Sequence, residues 1–150
     1  MSNIKKIVLS LVAIVLLLGA SSVSASLAGT WRGEGTGSCF PHPGMEIYPW
    51  QDWKGEISEK EDIFKGEWRD KAGNHGTFEG KLVPSPIPEE RRFEGEWTWD
   101  DPLSMSILPV VGGKFKMIFC IYSKECKGTW MTHWISISAV GSMQGKKVAD

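Results

Sequence analysis

The chain has 150 residues, of which 17 are Lys or Arg and 18 are Asp or Glu, giving a formal net charge of −1. Hydrophobic residues make up 41% of it, with 17 Gly, 8 Trp and 3 Cys. That balance excludes a disordered chain or a coiled coil, and the even mixture of signs offers no electrostatic footprint for nucleic acid.

At the start, Lys5 and Lys6 precede an apolar run from Ile7 to Ala20, and small residues follow to Val23-Ser24-Ala25. A positive start, a short apolar centre and a small-x-small end form the pattern of a secretory signal peptide. Residues 1–25 are therefore expected to be removed, leaving residues 26–150 as one domain. The run falls short of the roughly 20 apolar residues that span a bilayer, and its retention as an uncleaved anchor is the alternative. No Cys follows the run, so lipid attachment there is not indicated, and no stable membrane span is expected after cleavage. The expected location is secreted or extracytoplasmic. All three cysteines, Cys39, Cys120 and Cys126, lie in the exported part. An odd count outside the cytosol suggests one disulfide and one free thiol. Cys39–Cys126 would tie down a long loop, whereas Cys120–Cys126 would close a short hairpin. Neither Asn3 nor Asn74 begins a glycosylation sequon.

The first predicted strand runs from Leu27 to Thr36. A long irregular loop with Pro41, Pro43 and Pro49 covers Gly37 to Gln51. Strands follow near 52–59 and 62–70, then a turn at Lys71-Ala-Gly-Asn-His75, whose residues tolerate positive φ. The next strand spans 76–83. Pro84-Ser-Pro-Ile-Pro88 must be a loop, because proline cannot donate to a ladder. A strand at 91–99 ends at Asp100-Asp-Pro102. Residues 103–111 read either as a strand or as a covering segment. Residues 114–122 alternate cleanly, with Phe115, Met117, Phe119 and Ile121 on one face. Another strand starts near Cys126. Its phase is lost between Trp130 and Val140, as a bulge or chain reversal near His133 would explain. Gly141-Ser142 reads as a turn, and a last strand runs to about Val148, making eight or nine in all, with no helical stretch after the signal peptide.

One short unit recurs along these strands. Its copies are Trp31-Arg-Gly-Glu-Gly35, Trp53-Lys-Gly-Glu-Ile57, Phe64-Lys-Gly-Glu-Trp68, Phe78-Glu-Gly-Lys-Leu82, Phe93-Glu-Gly-Glu-Trp97, Cys126-Lys-Gly-Thr-Trp130 and the weaker Met143-Gln-Gly-Lys-Lys147. The alternation has the strand period of two. It places the aromatic residue, the Gly and the second large residue on one face and the charges on the other. A recurrent Gly on the inward face needs a geometric cause. Tight curvature supplies one, because small barrels alternate small and large inward residues. Closure also removes exposed edges. The expected fold is thus all-β: an antiparallel meander β-barrel of about eight strands, preceded by a signal peptide. The outward charges read as a solvated face whose cross-strand pairs are each worth about 0–1 kcal/mol.

The opening Leu27-Ala-Gly29-Thr-Trp31 resembles the Gly-x-Trp opening of lipocalins and the similar opening of avidin-like proteins. That resemblance implies a meander barrel that binds small ligands inside. It also implies a Trp closing one barrel end under a basic residue, a part open here to Lys146 or Lys147. Phe64-Lys-Gly-Glu-Trp-Arg-Asp70 is similar to one unit of a MORN repeat, but the spacing between copies does not follow that family's period.

Common catalytic signatures are missing: there is no Gly-x-Ser-x-Gly, His-Glu-x-x-His, phosphate-binding Gly-rich loop or Cys-x-x-Cys. His42, His75 and His133 are far apart, and Asp100-Asp101 reads as a turn, so no metal site and no cofactor are expected. No third group can be named to orient a pair such as His42 and Asp52, so no catalytic residue is assigned. The expected function is an exported binding module. In it Trp31, Trp53, Phe64, Trp68, Phe78, Phe93, Trp97 and Trp130 either line a pocket for an apolar or aromatic small ligand or fill the barrel as solid core. The alternative is an extracytoplasmic structural or envelope protein acting through surface loops, with Tyr48 and Trp50 as contact residues and no internal ligand.

Overall fold

A computed structural model describes residues 25–133 and 139–149. The signal peptide, apart from Ala25, lies outside the described residues, as do residues 134–138; the chain reversal expected near His133 falls between antiparallel strands that end at Thr132 and start at Val140. The described residues form ten strands and no helix: β1 (Gly29–Gly35), β2 (Cys39–His42), β3 (Met45–Ile47), β4 (Asp52–Ile57), β5 (Ile63–Arg69), β6 (His75–Val83), β7 (Glu90–Trp99), β8 (Val110–Cys120), β9 (Glu125–Thr132) and β10 (Val140–Ala149). Eight of them close an antiparallel barrel in the order β1-β10-β9-β8-β7-β6-β5-β4. The other two, β2 and β3, form a separate hairpin inside the stretch expected to be irregular. Every barrel neighbour apart from β1 with β4 and with β10 is also a neighbour in sequence, which is the up-and-down meander.

The recurrent unit explains the wall. On β5, Phe64 and Trp68 are buried while Lys65, Glu67 and Arg69 are exposed, as the strand period requires. The strand register stacks the copies: Gly55 faces Gly66, Gly80 faces Gly95 and Gly33 faces Gly145. A belt of glycines therefore circles the inside at mid-height. A Cβ on Gly66 would lie 2.6 Å from the Gly55 Cα and 2.6 Å from Phe78 Cζ, and would overlap the Lys54 carbonyl. The belt is where the wall draws in and the rings of Trp53, Phe64, Phe78 and Phe115 occupy the space that a Cβ would take. On the outside, opposite charges meet in register as Lys54 with Glu67, Glu56 with Lys65, and Lys81 with Glu94.

Some boundaries differ from the sequence reading: β10 already starts at Val140, so Gly141-Ser142, expected as a turn, is strand paired with β9. β8 starts at Val110, four residues earlier than expected, and Leu103–Leu108 is loop rather than strand. The register slips between Trp97 and Thr98, so that Gly112 becomes an extra residue under the Trp97 ring. That bulge resets the phase of β8 and hides the strand start from a simple alternation count.

The barrel has two unlike ends. At the N-terminal end Leu27 is fully buried, and its carbonyl accepts the Trp31 indole N–H at 2.9 Å. Glu61 holds this segment, accepting from Ser26 Oγ and Leu27 N at 2.8 Å each. Burial pushes the Glu61 carboxyl up, but these bonds outweigh it and leave its pKa below the ordinary value. Lys147, rather than Lys146, is the register partner of Trp31, and its ammonium donates to Ser26 O at 3.2 Å. The other end is the rim where the β1–β2, β3–β4, β5–β6 and β7–β8 connections gather.

The three cysteines are unpaired, which corrects the expected disulfide. Phe119 is the register partner of Cys126 and both face inward, so Cys120, one residue on, turns to the outer face. Cys39 lies at the rim, two residues from Gly37, where an added Cβ would meet the Val140 carbonyl. Cys126 pairs with Gly145 on the same strand, β10. Five residues of strand are about 16 Å, far beyond the roughly 7 Å Cα separation that a disulfide spans.

Candidate functional site

The rim is built around one side chain. Tyr48, Pro49, Trp50 and Gln51 make a tight turn in which Gln51 N donates to Tyr48 O at 3.2 Å. Proline suits its second position, and the third requires φ > 0, which glycine normally fills. Trp50 occupies it with φ 66. A bulky residue there is strained by about 1–2 kcal/mol, and packing must hold it. The turn aims the indole down into the barrel, where it is fully buried and stacks on Phe78 with centroids 4.3 Å apart. Phe115 lies 5.0 Å away and Trp53 6.2 Å away. Trp50 is thus an internal plug and not the exposed loop contact that the sequence suggested. Tyr48 is partly exposed.

Asp70 fixes the turn from the neighbouring β5–β6 connection. Its carboxylate accepts from Tyr48 N at 3.2 Å, from Ala72 N and Asn74 N at 2.9 Å each, and from Asn74 Nδ2 at 2.8 Å. Lys71 N adds a bond to Gln51 Oε1 at 2.9 Å. The β2–β3 hairpin covers the mouth beside it, turning Cys39 and Ile47 inward and Phe40 outward. Burial pushes the Cys39 thiol up to about 12, with Glu46 adding to the effect, so it stays protonated.

All eight residues expected to line a ligand pocket face inward and are buried. They pack against one another and against Phe119: Trp31 meets Phe119 at 4.6 Å, Phe64 meets Phe78 and Phe119 at 5.0 Å each, Trp68 meets Trp97 at 5.9 Å and Trp97 meets Trp130 at 5.7 Å. Edge-to-face packing of this kind characterises filled interiors. Four indole N–H groups are bonded to backbone carbonyls: Trp31 to Leu27, Trp68 to Thr98, Trp97 to Met131 and Trp130 to Thr36. Trp50, Trp53 and Trp99 have no partner for Nε1. Open grooves lie on the outer wall; one of about 930 Å³ crosses β4 to β7, between alternating Lys and Glu side chains over the backbone of the glycine belt.

Each histidine meets a carboxylate from β7 or its end. His42 Nε2 lies 2.8 Å from Asp101 Oδ2, His75 Nδ1 lies 2.8 Å from Asp100 Oδ2, and His133 Nε2 lies 3.6 Å from Glu96 Oε1. Burial tends to raise the Asp101 carboxyl, but His42 and the backbone N–H groups of Leu103 and Ser104 hold it below the ordinary value. His42 is therefore a strut of the rim and is not paired with Asp52. No group of three or more His, Cys, Asp or Glu side chains suited to a metal occurs among the described residues.

The loop that these struts support was not singled out as functional from the sequence. Leu103, Met105, Ile107 and Leu108 point into solvent from residues 100–109, and Val111, Met131 and Val140 continue the apolar surface down the outer wall. The signal was present, since two prolines bracket four aliphatic residues and two serines without a charge. No protein-family model matches the chain, and no curated protein or solved structure matches it significantly.

Proposed function

We propose that the chain is an exported β-barrel binding module that engages its partner through the rim and holds no ligand in its interior. The observation that carries this reading is the Trp50 plug: the mouth through which a ligand would enter is filled by the chain's own indole. The exposed apolar loop at the same end supplies a contact surface, as large exposed apolar patches usually do. The apolar run Ile7–Ala20 with its small-residue end supports export. The Gly29-Thr-Trp31 opening, with Lys147 opposite Trp31, supports kinship with lipocalin-like or avidin-like barrels in architecture, without their internal site. Titration with flat apolar ligands should leave the intrinsic Trp emission unchanged. Saturable quenching by such a ligand would refute the reading.

A second reading has one observation in its favour. The unpartnered Nε1 groups of Trp50, Trp53 and Trp99 are buried donors, which normally find an acceptor. A small ligand bearing an acceptor atom would satisfy them if Trp50 swung out. That reading requires Trp50 to become exposed on binding, which acrylamide quenching would detect.

A further inference from the structure

We propose that the loop 100–109 inserts its aliphatic tip into the hydrocarbon margin of a lipid bilayer; the inference rests on the rim reading and names its partner. At the tip, Met105 and Ile107 show 102% and 98% relative exposure, with Leu103 at 65% and Leu108 at 71%. Side chains this free stand on a convex projection with no flanking wall. A rigid partner would need a matching groove, whereas fluid acyl chains mould to any shape.

The chemistry of the loop suits that medium. No charged residue occurs between Asp101 and Lys114. Each backbone donor engaged within the loop lowers the cost of bringing it to the edge of hydrocarbon. Here Leu103 N donates to Asp101 Oδ1 at 2.9 Å and Ser104 N to Asp101 O at 3.1 Å. Ser106 N donates to Ser104 Oγ at 3.0 Å and Leu108 N to Ser106 Oγ at 3.1 Å. Pro102 and Pro109 have no N–H to satisfy. The serines that interrupt the aliphatic series thus engage two of the loop's N–H groups, those of Ser106 and Leu108. The root of the loop is clamped by His42 on Asp101 and by His75 on Asp100, whose N–H also donates to His75 O at 3.0 Å. The tip is therefore presented at a fixed place on the barrel end.

The chain's own N-terminal run is not the occupant, because the expected cleavage after Ala25 removes it.

The test uses the protein as the cell exports it, mixed with neutral phosphatidylcholine vesicles. Cosedimentation is expected, and it should not weaken between about 0.1 and 1 M NaCl, because no surface charge is involved. Hydrogen exchange should slow over residues 102–111 and not over 84–90 at the opposite end. The double variant Met105→Asp with Ile107→Asp should lower partitioning about tenfold or more with an unchanged melting temperature. Partitioning that the double variant leaves intact, or that needs anionic lipid and vanishes in salt, overturns the inference. If vesicles are ignored but the protein self-associates through a contact that the double variant abolishes, the lipid assignment falls and the rim reading stands. If neither occurs, both fall.

Discussion

Replacing Trp50 tests the plug directly, and three substitutions separate its parts. Truncating a buried Trp to Ala typically costs about 3–5 kcal/mol through lost transfer energy and the void left behind. At this site, removing an indole N–H that has no partner returns about 1 kcal/mol of that loss, the low end of the desolvation penalty of a buried donor. Trp50→Ala should therefore destabilise by about 2–4 kcal/mol while keeping a side chain at φ 66. Trp50→Gly opens the same cavity but relieves the backbone, so it should be about 1 kcal/mol more stable than the alanine variant. At an ordinary strand or turn position the order is reversed. Trp50→Phe keeps a ring on Phe78 and deletes the orphaned donor, so it should lie within about 1 kcal/mol of the parent. Urea unfolding followed by far-ultraviolet circular dichroism measures all three. Millimolar indole should raise the midpoint of the glycine variant and not that of the parent, because only the variant has a vacant slot. An alanine variant at least as stable as the glycine variant, or one that loses less than about 1 kcal/mol, would show that the turn is not strained or that the indole is not part of the core.

Gly66→Ala should destabilise by about 3 kcal/mol, since backbone as well as Phe78 blocks the new methyl, whereas Gly44→Ala, in open space at φ 77, should cost only about 1 kcal/mol; chemical denaturation of each variant gives the comparison. In thiol titration one group should react in the folded protein and three after unfolding. The reactive one is Cys120, whose pKa is lowered chiefly by a side-chain hydrogen bond to Ser123, while burial protects Cys39 and Cys126 and holds their pKa values up. Native-state modification of Cys126 in place of Cys120 would contradict the assigned faces of β8 and β9. Asp101 and Glu61 both have folded pKa values below their ordinary ones, so their stabilisation is complete above about pH 4 and is lost as pH falls through the folded values. Thermal melts of Asp101→Asn should show a shallower loss of stability on acidification below pH 4 than the parent.

The wall of the barrel was legible because its information is local. Trp53-Lys-Gly-Glu-Ile57 states which face is inside, and its registered partner Phe64-Lys-Gly-Glu-Trp68 repeats the statement, so the period of two carries over directly. The small size of the inward Gly also predicted the curvature that the belt provides. The rim was less legible. Pro43-Gly44 marks the β2–β3 turn, but the three prolines hid two short strands. Trp50 sits where a turn rule expects glycine, so its inward direction follows only from a positive φ that the residue type argues against. His42 finds its carboxylate 59 positions away, a distance that no spacing rule bridges. Loop 100–109 resembled a weak strand because its serines alternate with aliphatic residues, whereas they act as hydroxyl acceptors for the backbone two residues on.

The same small residues that shape the barrel also decide against a generous cavity. A glycine belt could have left room for a ligand, had the rings above and below stood apart. Instead the wall draws in at the belt until the rings of Trp53, Phe64, Phe78 and Phe115 occupy the space that a Cβ would take. The remaining opening at the rim is filled by Trp50 at an energetic cost in its own dihedral. A chain that holds a tryptophan in a left-handed turn to fill its barrel gains core there, not an entrance. Its unpaired apolar surface then lies outside, on loop 100–109 and the adjoining wall of β8, β9 and β10. For that reason the rim, and not the interior, is where binding by this protein should be sought.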